Sequence, residues 1–319
     1  IWAFEKAKTA KGKELVRLIE EYRLPHECVP NEQKSDPKVW EAMLPSMGVT
    51  ALIRNLGKMT NVGLLGPMSG ASKFVAQQLG NVELLQKGKV HPIQILLALK
   101  TYSQGHGDKG KLTWSPVQQI VNALDGAFYA AFKAVEPTNK RTMLALDISG
   151  SMGGADIAGM SGITARVGSC AMALVTAAVE QQHMFVGFTS STGFATANRG
   201  GLSILNINPR QRLDDVVQYT SRLPMGGTDC ALPMLFATEA KLPIDTFVLY
   251  TDNETWAGNI QPVDALRNYR QKLGIPAKLI VVGMTATGFS IADPNDAGML
   301  DVTGFDSAAP GVIADFARE

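Results

Sequence analysis

The residues with the clearest chemical potential are oxygen donors. Asp147, Ser149 and Ser151 stand in the segment Leu146-Asp147-Ile148-Ser149-Gly150-Ser151-Met152, directly after an apolar run. In a turn, the i, i+2, i+4 spacing lets one carboxylate and two hydroxyls converge, and Gly150 accommodates the bend. Two more oxygens come from distant segments: Thr228 in Gly226-Gly227-Thr228-Asp229, and Asp252 in Thr251-Asp252-Asn253. A set of two carboxylates and three hydroxyls, with no His or Cys, suits a hard divalent cation; Mg²⁺ with oxygen and water ligands is the expected cofactor. No catalytic group stands out. His26, His91, His106 and His183 are scattered with no nucleophile beside them, and Cys230, near Thr228, has no base and reads as a packed thiol. Gly105-His106-Gly107-Asp108-Lys109-Gly110 fits a G-x-G-x-x-G pattern but follows a helical segment where a dinucleotide site needs a strand. The chain is therefore not expected to be an enzyme.

A convergent oxygen site needs a scaffold, and the apolar pattern suggests one. Residues 142–146, 184–188, 246–250 and 279–282 are short, almost wholly apolar runs, as strands buried on both faces of a parallel sheet are. Helical stretches at 167–182, 213–223, 232–241 and 263–273 alternate with them, and residues 202–205 suit an antiparallel edge strand. Alternating strand and helix predicts a doubly wound α/β domain over 137–319, in which ligands bind beyond the carboxyl ends of the strands. Asp147 and Asp252 each follow such a run directly. Trp256, a few residues past Asp252, is placed at the rim of the same site.

The first part of the chain has a different period. Residues 14–20, 39–44, 51–59, 71–79, 92–102 and 116–134 repeat apolar positions at three and four, separated by Gly, Pro or Asn. Residues 1–136 are thus expected to be all-helical, as antiparallel pairs stacked in a helical-repeat (HEAT-like) segment, with 136–139 as linker. The opening residues, Ile1 to Lys6, read as the middle of a helix, so the natural protein is expected to extend further N-terminal. The charge also divides: residues 1–141 hold 19 Lys and Arg against 12 Asp and Glu, while 142–319 hold 11 against 17. A basic half calls for a polyanionic partner. Between Leu84 and Leu124 the only acidic residue is Asp108, among Lys87, Lys89, Lys100, Lys109 and Lys111. His91, Tyr102, His106 and Trp114 are interleaved with these cations, and Arg54 and Lys58 sit one helical turn apart. Cations that neutralise phosphates beside rings that stack on bases favour single-stranded RNA, although residues such as Tyr102 and Trp114 are more often core than stacking platforms. The RNA-binding candidates are Arg54, Lys58, Lys87, Lys89, His91, Lys100, His106, Lys109 and Lys111. Hydrophobic residues at 45% and charged residues at 18% suit a globular chain with no membrane span, and three sparse cysteines suit a reducing cytoplasm.

The oxygen donors also carry a resemblance. Asp-x-Ser-x-Ser, then Gly-Gly-Thr-Asp, then Thr-Asp-Asn at a strand end resemble the metal-ion-dependent adhesion site of von Willebrand A domains. Longer strings at 226–234, 247–256, 275–284, 291–294 and 298–301 are similar to the Ro ribonucleoprotein autoantigen family, and 50–60, 91–107 and 127–137 resemble the end of its TROVE module. The resemblance implies a ring of helical repeats closed by an A domain, with 3′ ends of misfolded noncoding RNA entering the ring and Y RNA on its outer face. It also implies that the metal takes an acidic group from a partner, and that bacterial relatives join an exoribonuclease through Y RNA. The helical part is shorter than the family's, so the chain reads as a truncated or short form. The alternative is a metal-dependent protein-interaction module without RNA binding of its own. A metal-dependent phosphoesterase fits less well, for want of a second metal site and a general base.

Overall fold

A computed structural model describes residues 1–107, 110–154, 156–157, 162–190, 199–252, 257–285, 291–304 and 308–319. The chain forms two compact units, Ile1–Ala134 and Val135–Glu319.

The first unit is helical: α1 (Trp2–Ala7), α2 (Gly12–Tyr22), α3 (Pro37–Met43), α4 (Val49–Asn61), α5 (Gly70–Leu79), α6 (Val82–Lys87), α7 (Pro92–Gln104) and α8 (Gln118–Ala130). Local chemistry sets the boundaries. Asp36 caps α3 through the Lys38 amide with Pro37 at the first position, Ser69 caps α5, and Gly105 ends α7 in the left-handed conformation at φ +79°. The buried stripes Leu15, Leu18, Ile19 and Leu52, Ile53, Leu56, Met59 fall at helical spacing. Helix α4 packs on α5 and α7, and α8 packs on α5 and α7, so these four share a core; α2 packs on α1 and α3.

The second unit is a six-stranded sheet in the order β3-β2-β1-β4-β5-β6. Its strands are β1 (Thr142–Asp147), β2 (His183–Phe188), β3 (Leu202–Leu205), β4 (Thr246–Thr251), β5 (Lys278–Gly283) and β6 (Met299–Thr303). All neighbours are parallel except β3, which runs antiparallel to β2 at the edge, as its position predicts. Both central strands, β1 and β4, are buried at every residue, which is why they read as continuous apolar runs. Met143, Ala145, Phe247, Leu249, Leu279 and Val281 face α12 (Leu232–Glu239) and α13 (Pro262–Leu273). Helix α10 (Ala165–Val179) packs on β1 and β4 from the other side, next to α11 (Leu213–Ser221). The short α9 (Ser151–Gly154) opens directly after β1, and α14 (Ala309–Arg318) packs on β6. The chain leaves β1 for β2 on one side while β4 pairs on the other, so the topological switch lies between β1 and β4, where a doubly wound sheet opens its crevice. Among the described residues, no helix is long and apolar enough to cross a membrane.

Candidate functional site

Strand β1 delivers Asp147 to this switch point, and the adjoining strand ends organise what surrounds it. The Asp147 side chain is buried; its Oδ1 accepts the Ser149 amide at 2.8 Å and its Oδ2 accepts the Thr251 hydroxyl at 2.8 Å. The first bond folds the Asp-x-Ser-x-Ser loop back over its own carboxylate. That fold leaves the Ser149 and Ser151 hydroxyls 3.0 Å apart. Asp252, one residue past β4, is also buried, and its Oδ1 has no hydrogen-bond partner among the described residues. Its carbonyl accepts the Thr285 hydroxyl at 2.6 Å, which fixes the loop after β4 against that after β5.

Thr228 reaches the site through the end of β2. Thr189 donates its hydroxyl to the Gly227 carbonyl at 2.8 Å and accepts the Asp229 amide on its own carbonyl at 3.1 Å, while Ser190 Oγ accepts the Gly227 amide at 3.0 Å. Gly226 is required there, because a Cβ would stand 2.9 Å from the Thr189 hydroxyl. Since Phe188 is level with Asp147 in the register, these bonds bring Thr228 to the same end of the sheet. The five oxygen donors therefore lie at or just past the carboxyl ends of β1, β4 and, through Thr189, β2.

The electrostatics of the site suit a bound cation. Burial pushes the Asp147 carboxyl up to about 6, and the neighbouring Asp252 adds to the rise; hydrogen bonds from Ser149 and Thr251 oppose it. Asp229, beside Thr228, is raised as well, chiefly by burial. Two buried carboxylates, one with an oxygen lacking any donor among the described residues, are costly unless positive charge compensates them. Hydroxyls and carboxylates fit a hard oxygen-seeking ion; among the described residues no group of three or more His, Cys, Asp or Glu is placed to hold a metal.

Sequence reasoning missed Thr251, Thr189, Ser190 and Arg166. The first three end an apolar strand or lie within two residues of its end. Arg166 is the lone charge in an otherwise apolar helix, and that was its signal. Trp256 and Lys109 lie outside the described residues.

The helical unit gathers most of the proposed RNA contacts around α4. Arg54 is exposed and Lys58 half-buried, and with Asn61 they fall at i, i+4, i+7 on one face. Asn61 Nδ2 donates to the Thr113 carbonyl at 2.8 Å, anchoring beside the end of α4 the loop that carries exposed His106 and Lys111. A bridge between His106 and Thr113 closes that loop. At the other end, Gly88 lies against Val49, the first residue of α4; a Cβ there would be 2.7 Å from Val49 Cγ1. Exposed Lys87 and Lys89 flank this contact. Arg54, Lys58 and, through Asn61, the loop of His106 and Lys111 thus share one face of this 13-residue helix, whereas Lys87 and Lys89 stand beside its first turn on the side of buried Val49. Lys100, on α7, is half-buried. Residues 42–134 carry nine Lys and Arg against three acidic residues, which puts the basic character on α4–α8 rather than α1–α3.

One candidate must be corrected. His91 caps α7, its Nδ1 accepting the Ile93 amide at 3.2 Å, and its Nε2 is buried without a partner among the described residues. Burial pushes its pKa down to about 4, so at neutral pH it is an uncharged cap and no phosphate ligand. Neither Tyr102 nor Trp114 is a stacking platform. Tyr102 is buried and stacks on Trp114 at 6.1 Å, the Trp114 Nε1 donates to the Tyr102 carbonyl, and the indole lies against Gly57.

Comparison with known proteins decides the family. Residues 141–317 match the model of the Ro60 vWA domain, and residues 24–101 match that of the TROVE domain. The chain belongs to the Ro60 family. It is 45% identical over 302 residues to the RNA-binding protein RO60 of Deinococcus radiodurans, covering 94% of this chain and 55% of that protein. It is 41% identical over 317 residues to the RNA-binding protein RO60 of Caenorhabditis elegans, covering 98% of this chain and 47% of that one. The crystal structure of the Deinococcus radiodurans Ro (Rsr) protein superposes with a TM-score of 0.89 at 43% identity, covering 99% of this chain and 62% of that chain. This Ro60-family chain thus spans about half the length of the curated relatives it matches.

Proposed function

We propose that this chain supplies Ro-type RNA binding, with the basic surface around α4 as its contact surface and the A domain as a separate metal-dependent docking site. The observation that carries the reading is the gathering of Arg54, Lys58, His106 and Lys111 at one face of α4, with Lys87 and Lys89 beside its first turn, in a chain whose 41–45% identical relatives are named RNA-binding proteins. The RNA class it takes is a noncoding RNA, either Y RNA or a misfolded transcript with a free 3′ end, in cytoplasmic RNA quality control. Phosphates spaced along a single strand would be met in turn by these cations, an electrostatic contact weakened by salt. Asp147, Ser149, Ser151, Thr228 and Asp252 would hold Mg²⁺. With only two carboxylates holding it, such an ion would be electron-poor and would suit an acidic group from a partner protein such as an exoribonuclease. Among the described residues no group in the site is placed as a general base or nucleophile, and our reading assigns the chain no catalysis.

The test is equilibrium binding of the whole chain to a duplex RNA with a single-stranded 3′ tail, across a monovalent salt series, in Mg²⁺ and in EDTA. The reading requires affinity that falls steeply with salt and is indifferent to EDTA. Absence of binding at low salt would leave the second reading, a protein-docking module, which the partnerless oxygen of Asp252 favours.

A further inference from the structure

Arg166 lies in the first turn of α10 and is buried, with 5% of its surface exposed. Among the described residues it is the only cation in either unit buried to this degree. A guanidinium withdrawn from water is costly, and the apolar helix around it does not need a charge to pack. Its bonds explain its place. Nη2 donates to the Ser149 carbonyl at 2.8 Å, and Nη1 donates to the Thr220 carbonyl in the last turn of α11 at 3.1 Å. Gly153, in α9, lies directly over the guanidinium: a Cβ there would be 3.7 Å from Nε and Nη2.

The carbonyl that Arg166 grips belongs to the peptide between Ser149 and Gly150, the point at which the oxygen-donor loop is freest to rotate. Upstream, the Ser149 amide is already fixed on Asp147; downstream, the Ser149 and Ser151 hydroxyls are 3.0 Å apart. Arg166 fixes the plane between these two contacts and ties it to α11.

We propose that Arg166 is a positioning residue of the metal centre: by bracing the Ser149 carbonyl against Thr220 it holds the Ser149 and Ser151 hydroxyls in ligating register and so sets the affinity for Mg²⁺. This rests on the reading that these residues hold a divalent cation. Groups that orient metal ligands typically account for roughly 10- to 100-fold in affinity.

The experiment is Mg²⁺ titration of the whole chain by calorimetry, with the wild type, Arg166→Lys, Arg166→Gln and Arg166→Met compared at a temperature where their circular dichroism coincides. Lys keeps the charge but cannot grip both carbonyls; Gln keeps a donor without the charge. The proposal expects Lys and Gln each to raise the Mg²⁺ Kd by roughly tenfold or more. Should Arg166→Met fail to fold, those two polar variants carry the test. An unchanged Kd in folded variants with a lowered Tm would make Arg166 a brace of the fold alone and overturn the proposal. So would a tighter Kd in Gln but not in Lys, which would make the guanidinium a repelling charge. A wild type with no saturable Mg²⁺ binding would sink the metal reading itself, an outcome distinct from failure in the variants alone.

Discussion

Replacing Asp147 by Asn should make the metal-free protein more stable at neutral pH, and the size of the gain follows from the site. Asn is nearly isosteric and suits both partners: its oxygen accepts the Ser149 amide and its Nδ2 donates to the Thr251 hydroxyl, in place of the two bonds the carboxylate accepts. What changes is the buried charge. The folded-state carboxyl titrates at about 6 against an ordinary 3.8, with burial the main cause. The native state therefore holds its proton more tightly than the unfolded chain. Stability is lost as pH rises from about 4 to about 6, and the loss is constant above that range. At about 1.4 kcal/mol per pH unit, the ionised form costs on the order of 3 kcal/mol at pH 7 and almost nothing below pH 4. For a unit of this size that corresponds to roughly 6–12 °C in Tm. Calorimetric melting in EDTA at pH 4 and pH 7 reads the effect: Asp147→Asn should match the wild type at pH 4 and exceed it at pH 7. Adding millimolar Mg²⁺ at pH 7 should raise the wild-type Tm and leave the variant's unchanged. An Asn variant that melts at or below the wild type at pH 7 in EDTA would refute the claim that this carboxylate is held at a cost for a cation.

Other consequences follow from the helical unit. Removing Arg54 and Lys58 together, as Arg54→Ala with Lys58→Ala, should weaken RNA binding at all sequences and lower the salt slope by about one for each phosphate no longer neutralised, measured by filter binding across salt. His91→Ala should cost about 1 kcal/mol in denaturant titration through loss of the α7 cap, with RNA affinity and its pH dependence from 5 to 8 unchanged, since the imidazole is already neutral there. Gly57→Ala gains helix propensity but drives a methyl to 2.7 Å from the held Trp114 ring; the clash wins, and urea melts should show a net loss of about 1 kcal/mol.

The sheet was legible wherever strands are buried on both faces. Strands β1, β2, β4 and β5 announce themselves as apolar runs, and β3 reads as the antiparallel edge that it is. Strand β6 did not, because Met299–Thr303 is an edge strand, mostly half-buried, with Asp301 in its middle. Helix α6 is only six residues long, too short to show a period. The five oxygen donors could be read because each follows an apolar strand or opens a Gly-rich turn. Arg166 could not be assigned, since its partners are main-chain carbonyls 17 and 54 residues away. His91 misled because a capping histidine before Pro92 is indistinguishable in sequence from a solvated one among lysines. The gathering of cations around α4 depends on tertiary contacts, Gly88 on Val49 and Asn61 on Thr113, that no local pattern encodes.

The central claim is that RNA and metal engage different parts of the chain. It is tested most directly by binding of a duplex RNA with a single-stranded 3′ tail to three proteins side by side: wild type, Arg54→Glu with Lys58→Glu, and Asp147→Ala. Loss of RNA affinity in the charge-reversed protein, with wild-type affinity in Asp147→Ala, is the predicted result. Loss in Asp147→Ala with no change on reversing the α4 charges would contradict it and put the RNA site at the metal.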